Sequence, residues 1–233
     1  MPEKKSEKTL YLYKEKGQIM YVELKNVTKI IDGNEILNHI NCSFQQGNIY
    51  GIRGKNGSGK TMLLKAISGL VRIDEGEINV GGQVLKKGNE FPEDVSALIE
   101  NPGFIGNYSG FKNLKILARI RNRISEETIV SYMERFQLDP YSKKKVKKYS
   151  LGMKQKLGII AAVMESSKLI LLDEPTNALD EESIHIFNEM VIEEKKRGNT
   201  VVITSHDFEE LKSMADYIIE MENGKIIKIG GVR

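Results

Sequence analysis

The stretch "GIRGKNGSGKTMLLK", residues 51–65, crowds four glycines, three lysines and a threonine into fifteen positions. Gly54, Gly59, Lys60 and Thr61 fit the spacing G-x-x-x-x-G-K-[ST] of a phosphate-cradling loop. That chemistry asks for these residue types. Glycines let the backbone turn through positive φ and bring N–H groups against phosphate oxygens, with Asn56, Gly57 and Ser58 inside the turn. A helix opening with Lys60, Thr61 and Met62 adds the positive end of its dipole. Lys60 then reaches the β- and γ-phosphates, and the Thr61 hydroxyl ligates Mg2+. The residues point to a bound nucleoside triphosphate; a glycine-rich turn that happens to contain lysine is the plainer alternative.

Hydrolysis needs a second set of groups. The apolar run "LILLDEP" (169–175) ends in Asp173, which at a strand tip can support the metal, and Glu174, which can orient an attacking water. The run "TVVITSH" (200–206) ends in His206, at the carboxyl edge where open sheets bind ligands, within reach of a γ-phosphate. The bland readings are strand-end punctuation for the acids and a structural role for the histidine.

The elements that must position these groups follow from the pattern around them. Alternation in 21–44 (Val22, Leu24, Val27), broken at Asp32-Gly33, predicts antiparallel strands. "GNIYGI" is a short strand before the glycine loop, and "TMLLKAISGL" a helix stopping at Gly69. Residues 105–165 are mostly helical in pattern and read as an insertion. Continuous apolar runs at 169–172 and 200–204 flank a helix with Ile184, Phe187 and Val191 on one stripe, which predicts βαβ alternation and a parallel sheet. Asn223-Gly224 predicts a closing hairpin.

Composition sets the bounds. The 233 residues are 40% hydrophobic and 29% charged, the proportions of an ordinary globular chain. A net charge of +3 gives no global signal for nucleic acid. The lysines in "KKKVKK" (143–148) read as a solvated surface rather than a phosphate or RNA contact. One cysteine, Cys42, excludes an intrachain disulfide and is expected buried. Met62, Met133, Met153, Met164 and Met190 are expected to fill core and interface gaps. The apolar stretch 157–164 is far shorter than the ~20 residues a membrane span needs. Residues 1–19 are charged, lack a secretion-signal core and are expected to be an appended flexible tail, dispensable for folding, on a chain resident in the cytoplasm.

Five motifs in order resemble a known family, the nucleotide-binding subunits of ABC transporters: "GKNGSGKT" (54–61) looks like Walker A, "YSLGMKQK" (149–156) like the signature, "LILLDEP" like Walker B, "NALD" (177–180) like the D-loop and "TSH" (204–206) like the switch histidine. The likeness covers roughly residues 21–230. It implies an α/β P-loop NTPase: a RecA-like core with a mostly parallel sheet (20–100 and 165–230), an N-terminal antiparallel β subdomain, and an inserted helical subdomain (101–164) carrying the signature. It further implies an ATPase binding ATP and Mg2+, with Glu174, His206 and Lys60 catalytic. Two chains would pair head to tail, Ser150 and Gly152 of one facing the γ-phosphate held by the other, with Asp180 at the junction. The partner would be an integral membrane permease that keeps the chain peripheral on the cytoplasmic face, with no nucleic acid involved.

Three places depart from the family pattern. The signature reads Ser150-Leu151-Gly152-Met153 where Ser-Gly-Gly-Gln is usual. Glu100, in "LIENPGF", stands where the lid loop normally has Gln; it can still offer oxygen to Mg2+ but adds negative charge beside a triphosphate. Ile30 and Ile31 stand where an aromatic residue usually stacks on adenine, which leaves selectivity for ATP over GTP open. "LIENPGF" and "SLGMKQKLGII" look most like the bacterial branch exporting bacitracin, lantibiotics and similar peptides. Two other readings compete: a soluble ABC ATPase acting on ribosomes or DNA, whose relatives generally carry two cassettes or a coiled-coil insertion, and a small-molecule phosphotransferase or non-hydrolysing module, which leaves "SLGMKQ" and "NALD" unexplained.

Overall fold

The computed structural model describes residues 19–85 and 91–232. The expectation for the tail at 1–19 therefore falls, Ile19 apart, outside the described residues. Strands β1 (Met20–Ile31) and β2 (Asn34–Gln45) form the first antiparallel pair, with Val22 opposite Phe44 and Leu24 opposite Cys42. Their turn uses Asp32 (φ 50°) and Gly33 (φ 78°), two consecutive left-handed residues whose twist suits a tight hairpin.

Next come β3 (Ile49–Arg53), α1 (Lys60–Ile67), β4 (Glu75–Val80), β5 (Gln83–Val84) and β6 (Val95–Leu98). The helices α2 (Gly110–Arg121) and α3 (Glu126–Arg135), a 3-10 turn at Val146–Lys148 and α4 (Leu151–Val163) follow. The chain then alternates β7 (Leu169–Asp173), α5 (Glu181–Lys196), β8 (Thr200–Ser205), α6 (Phe208–Met214), β9 (Tyr217–Glu222) and β10 (Lys225–Gly231).

Two sheets result. The four-stranded antiparallel sheet runs β2-β1-β4-β5; the six-stranded sheet runs β10-β9-β3-β8-β7-β6, parallel except where β10 turns back on β9 through Asn223 and Gly224. β7 and β8 are buried along their whole length, as strands covered on both faces must be, which is why they carry unbroken Leu, Ile and Val. Asp173, Glu174, Arg53 and His206 all fall at the carboxyl edge of these parallel strands.

One core packs Phe44, Tyr50, Leu63, Leu64 and Ile67 between the two sheets around α1; the other packs Met133, Phe136, Leu157, Ile160 and Phe187 between the helices and the large sheet. Both interiors continue through the central strands. The helix α4 packs directly on β6 and β7, so the signature-bearing helix is buttressed by the large sheet while α2 and α3 stack outside it. Met133, Met164 and Met190 are core residues, and Met62 and Met153 pack partly buried against it. Cys42 is 2% exposed, and burial pushes its thiol up to about 12, so it is no nucleophile. Lys143, Lys144, Lys145, Lys147 and Lys148 are all exposed, as a solvated face should be.

Candidate active site

The phosphate loop is a backbone device. Between β3 and α1 it turns through Gly57 (φ 80°) and Gly59 (φ 102°), and Gly59 caps α1. A Cβ on Gly59 would lie 2.8 Å from the Ile36 carbonyl oxygen; one on Gly54 would lie 2.5 Å from Ser58 Oγ and run into the Met221 carbonyl. Glycine is therefore required at both positions by space, and at Gly59 by φ as well. Ser58 Oγ is buried with no hydrogen-bond partner. An orphaned buried hydroxyl beside backbone N–H groups, at the start of a helix, suits an anion that this loop would hold.

Lys60 is 6% exposed. Its ammonium donates to Gly54 O (2.8 Å) and Lys55 O (3.4 Å) and lies 3.6 Å from Glu174 Oε1. Two of its three N–H donors are taken by carbonyls, and Glu174 at 3.6 Å balances its charge without a hydrogen bond, which leaves one N–H for a phosphate oxygen. Thr61 Oγ1 donates to Asp173 Oδ2 (2.9 Å), and Thr204 Oγ1 donates to Asp173 Oδ1 (2.7 Å). Two hydroxyls thus fix both oxygens of an 8%-exposed carboxylate.

Glu174 leaves the strand in a left-handed conformation (φ 46°), its N–H donating to Thr204 O (3.2 Å) and Thr204 Oγ1 (2.9 Å). That bend turns its side chain toward His206, whose Nδ1–H donates to Glu174 Oε2 (3.0 Å). The cleft, about 490 Å³, is lined by Lys60, Thr61, Met62, Lys65, Glu100, Glu174, Asn177 and His206 together with Ile36 and residues 56–59.

Of the residues expected from sequence, the structure brings Gly54, Asn56, Gly57, Ser58, Gly59, Lys60, Thr61, Asp173, Glu174 and His206 into one neighbourhood. Glu100 lines the same cleft as Thr61, with its carboxylate 2.6 Å from Lys65 Nζ. Among the described residues no cluster of three or more His, Cys, Asp or Glu could hold a metal ion. The hydroxyl and carboxylate of Thr61 and Asp173 suit a hard cation that takes its other ligands from water and phosphate. Ile30 and Ile31 end β1 at 41% and 40% exposure, so this edge offers aliphatic side chains and no stacking ring at these two positions.

Ser150 and Gly152 lie outside this cleft. Ser150 caps α4, its Oγ accepting from Met153 N–H (3.2 Å), which leaves the hydroxyl proton to donate elsewhere. Leu151 is 64% exposed beside it. A Cβ on Gly152 would lie 2.7 Å from Ala178 O, so glycine lets the signature helix rest on the backbone of the "NALD" turn. Farther along α4, Gln155 Nε2 donates to Pro175 O (2.8 Å) and Lys156 Nζ to Asp180 Oδ2 (3.3 Å). Asp180 caps α5 through Ser183 N–H and Oγ–H, and those bonds, with Lys156, pull its carboxyl down to about 2.

Sequence reasoning missed Thr204, Gln155 and Lys65. Thr204 was visible as the first residue of "TSH", but only the fold shows one hydroxyl serving two neighbouring strand ends. Thr204→Val keeps the shape and strips Asp173 Oδ1 of a donor, so it should cost about 2 kcal/mol. The expected fall in Tm is about 4–8 °C, with slower hydrolysis. Thermal unfolding unchanged from the parent chain would mean that this hydroxyl holds nothing.

A strand, a phosphate loop closed by a buried lysine, and a carboxylate pair at the tip of β7, separated from β3 by β8, define a P-loop NTPase. The model of the ABC transporter family matches residues 37–177. The uncharacterized ABC transporter ATP-binding protein YybJ of Bacillus subtilis is 43% identical over 205 residues, covering 88% of this chain and 94% of that one. The lantibiotic transport ATP-binding protein SrtF of Streptococcus pyogenes is 34% identical (88% and 89% covered), and the bacitracin transport ATP-binding protein BcrA of Enterococcus faecalis 35% (89% and 68%). The solved ATP-binding subunit of an ABC transporter superposes with a TM-score of 0.82 at 24% identity (91% and 90% covered). A dimeric post-hydrolysis cassette bound to ADP and Pi superposes with a TM-score of 0.79 at 22% identity (91% and 99% covered). At those identities the superpositions establish the fold.

This chain belongs to the ABC transporter family. Within it, the chain is an ATP-binding subunit and an ATPase.

Proposed function

We propose that this subunit hydrolyses ATP in a head-to-tail dimer to drive export of a peptide antibiotic or related amphiphile through a separate integral membrane permease. The observation that carries the catalytic half is the cluster in which Glu174 contacts both Lys60 and His206, with Thr61 bonded to the preceding residue, Asp173. Loop N–H groups, Ser58 Oγ and Lys60 would hold the β- and γ-phosphates, and Thr61 and Asp173 would hold Mg2+. The metal, when bound, neutralises charge on the phosphate oxygens. Glu174 takes a proton from the attacking water, and His206 keeps that carboxylate aimed. The second half of the site is the Ser150 end of α4, which is not part of its own cleft's lining and suits a phosphate held by another copy. No nucleic acid enters this scheme.

The names of SrtF and BcrA favour the cargo class. For the partner, no helix among the described residues is long and apolar enough to cross a membrane. The lid segment and α2 expose Ile105 (48%), Leu117 (37%) and Ile120 (75%), an apolar surface suited to a permease docking near Glu100 on the cytoplasmic face. Co-expression with a candidate permease, followed by membrane flotation, tests this. The subunit should float only with the permease, and the pair should raise tolerance to the exported peptide in cells. Flotation without the permease, or co-sedimentation with ribosomes instead, would reject the transport assignment.

A further inference from the structure

We propose that Lys65 is a positioning residue for nucleotide binding: it is the built-in counter-ion of Glu100, and it makes a carboxylate tolerable at the lid-loop position. Lys65 stands four residues beyond Thr61, on the same face of α1. Its ammonium lies 2.6 Å from Glu100 Oε1, and both side chains line the cleft that also holds Lys60, Glu174 and His206.

Charge bookkeeping supplies the reason. The cleft is lined by two carboxylates, Glu174 and Glu100, and a third, Asp173, is bonded to its lining residue Thr61, against two ammoniums, Lys60 and Lys65. Asp173 is engaged by two hydroxyls, and Glu174 by Lys60 and His206. Among the described residues, Lys65 is the one cation within 4 Å of Glu100. Without it the cleft goes from one uncompensated negative charge to two before any triphosphate arrives. With it, Glu100 presents to the nucleotide about the charge of a neutral amide. Lys65 is 23% exposed against 61% for Glu100, so the better-buried partner anchors the pair and the carboxylate is the member free to move.

The inference rests on the cleft's taking a nucleotide, and binding reads it without turnover. Affinity for a fluorescent N-methylanthraniloyl ATP is measured in EDTA and again with Mg2+, at about 0.05 and 0.5 M salt, with melting curves to certify folding. In EDTA at low salt, Lys65→Met should weaken binding about tenfold. The gap should narrow at high salt, and Lys65→Arg should restore affinity. The double variant Lys65→Met/Glu100→Gln, whose cleft carries the parent's net charge, should bind within about twofold of the parent. A double variant as weak as Lys65→Met alone, or no loss in Lys65→Met, overturns the pairing. Absence of binding by the parent chain overturns it together with the assignment of the cleft, and is told apart by that control.

Discussion

Glu174→Gln should slow phosphate release by about 10²–10⁴ while leaving ATP bound. Gln keeps the length and shape of the side chain at a backbone position (φ 46°) already set by Thr204. What it loses is the capacity to take a proton from water and the charge that Lys60 and His206 both face. Removing that charge leaves Lys60 with only its two carbonyl partners, so its pull on a phosphate oxygen should rise. ATP affinity should therefore hold or improve while turnover collapses. Phosphate release and size-exclusion chromatography with ATP read the two effects together: a slow variant eluting as an ATP-bound dimer is the expected pair of results. Turnover at the parent rate would remove Glu174 from the role of base.

Gly59→Ala should weaken ATP binding by more than about tenfold. Two costs add at this position. A non-glycine residue at φ 102° carries about 1–3 kcal/mol of strain, and the new Cβ would press on the Ile36 carbonyl at 2.8 Å. Every ~1.4 kcal/mol that must be relieved by reshaping the loop is a factor of ten in affinity. Gly57→Ala separates the two: its φ is 80°, but a Cβ there meets nothing within 4 Å. Isothermal calorimetry should rank the parent chain first, Gly57→Ala next and Gly59→Ala last. Equal losses in the two variants would mean that strain alone, and not contact with the β1-β2 hairpin, limits the loop.

Much of this architecture was legible because its signals are local. Unbroken Leu, Ile and Val runs marked β7 and β8 as strands covered on both sides, and Asp32-Gly33 and Asn223-Gly224 marked two hairpins by turn chemistry alone. The motif spacings carried Lys60, Thr61, Asp173, Glu174 and His206 to one edge. What stayed hidden was tertiary. β4 and β5, joined through Gly81 and Gly82, were not read, although the paired glycines are a turn signal. β6 is four residues long and takes its identity from parallel pairing with β7, so no periodicity betrays it. The pairing of Lys65 with Glu100 spans 35 positions of sequence and two elements, and only the packing of α1 beside the lid segment brings it about.

The contacts of α4 with the turn after Glu174 have a mechanical consequence. Gly152 rests on Ala178, Gln155 holds the carbonyl of Pro175, and Lys156 grips Asp180, all within two helical turns. The signature serine is thus mounted on the same short bracket that carries the chain's own hydrolytic carboxylate. In the head-to-tail dimer proposed above, a shift at one end of that bracket would reach the other without passing through the sheet, and would link the phosphate each copy cleaves to the phosphate it offers Ser150 to.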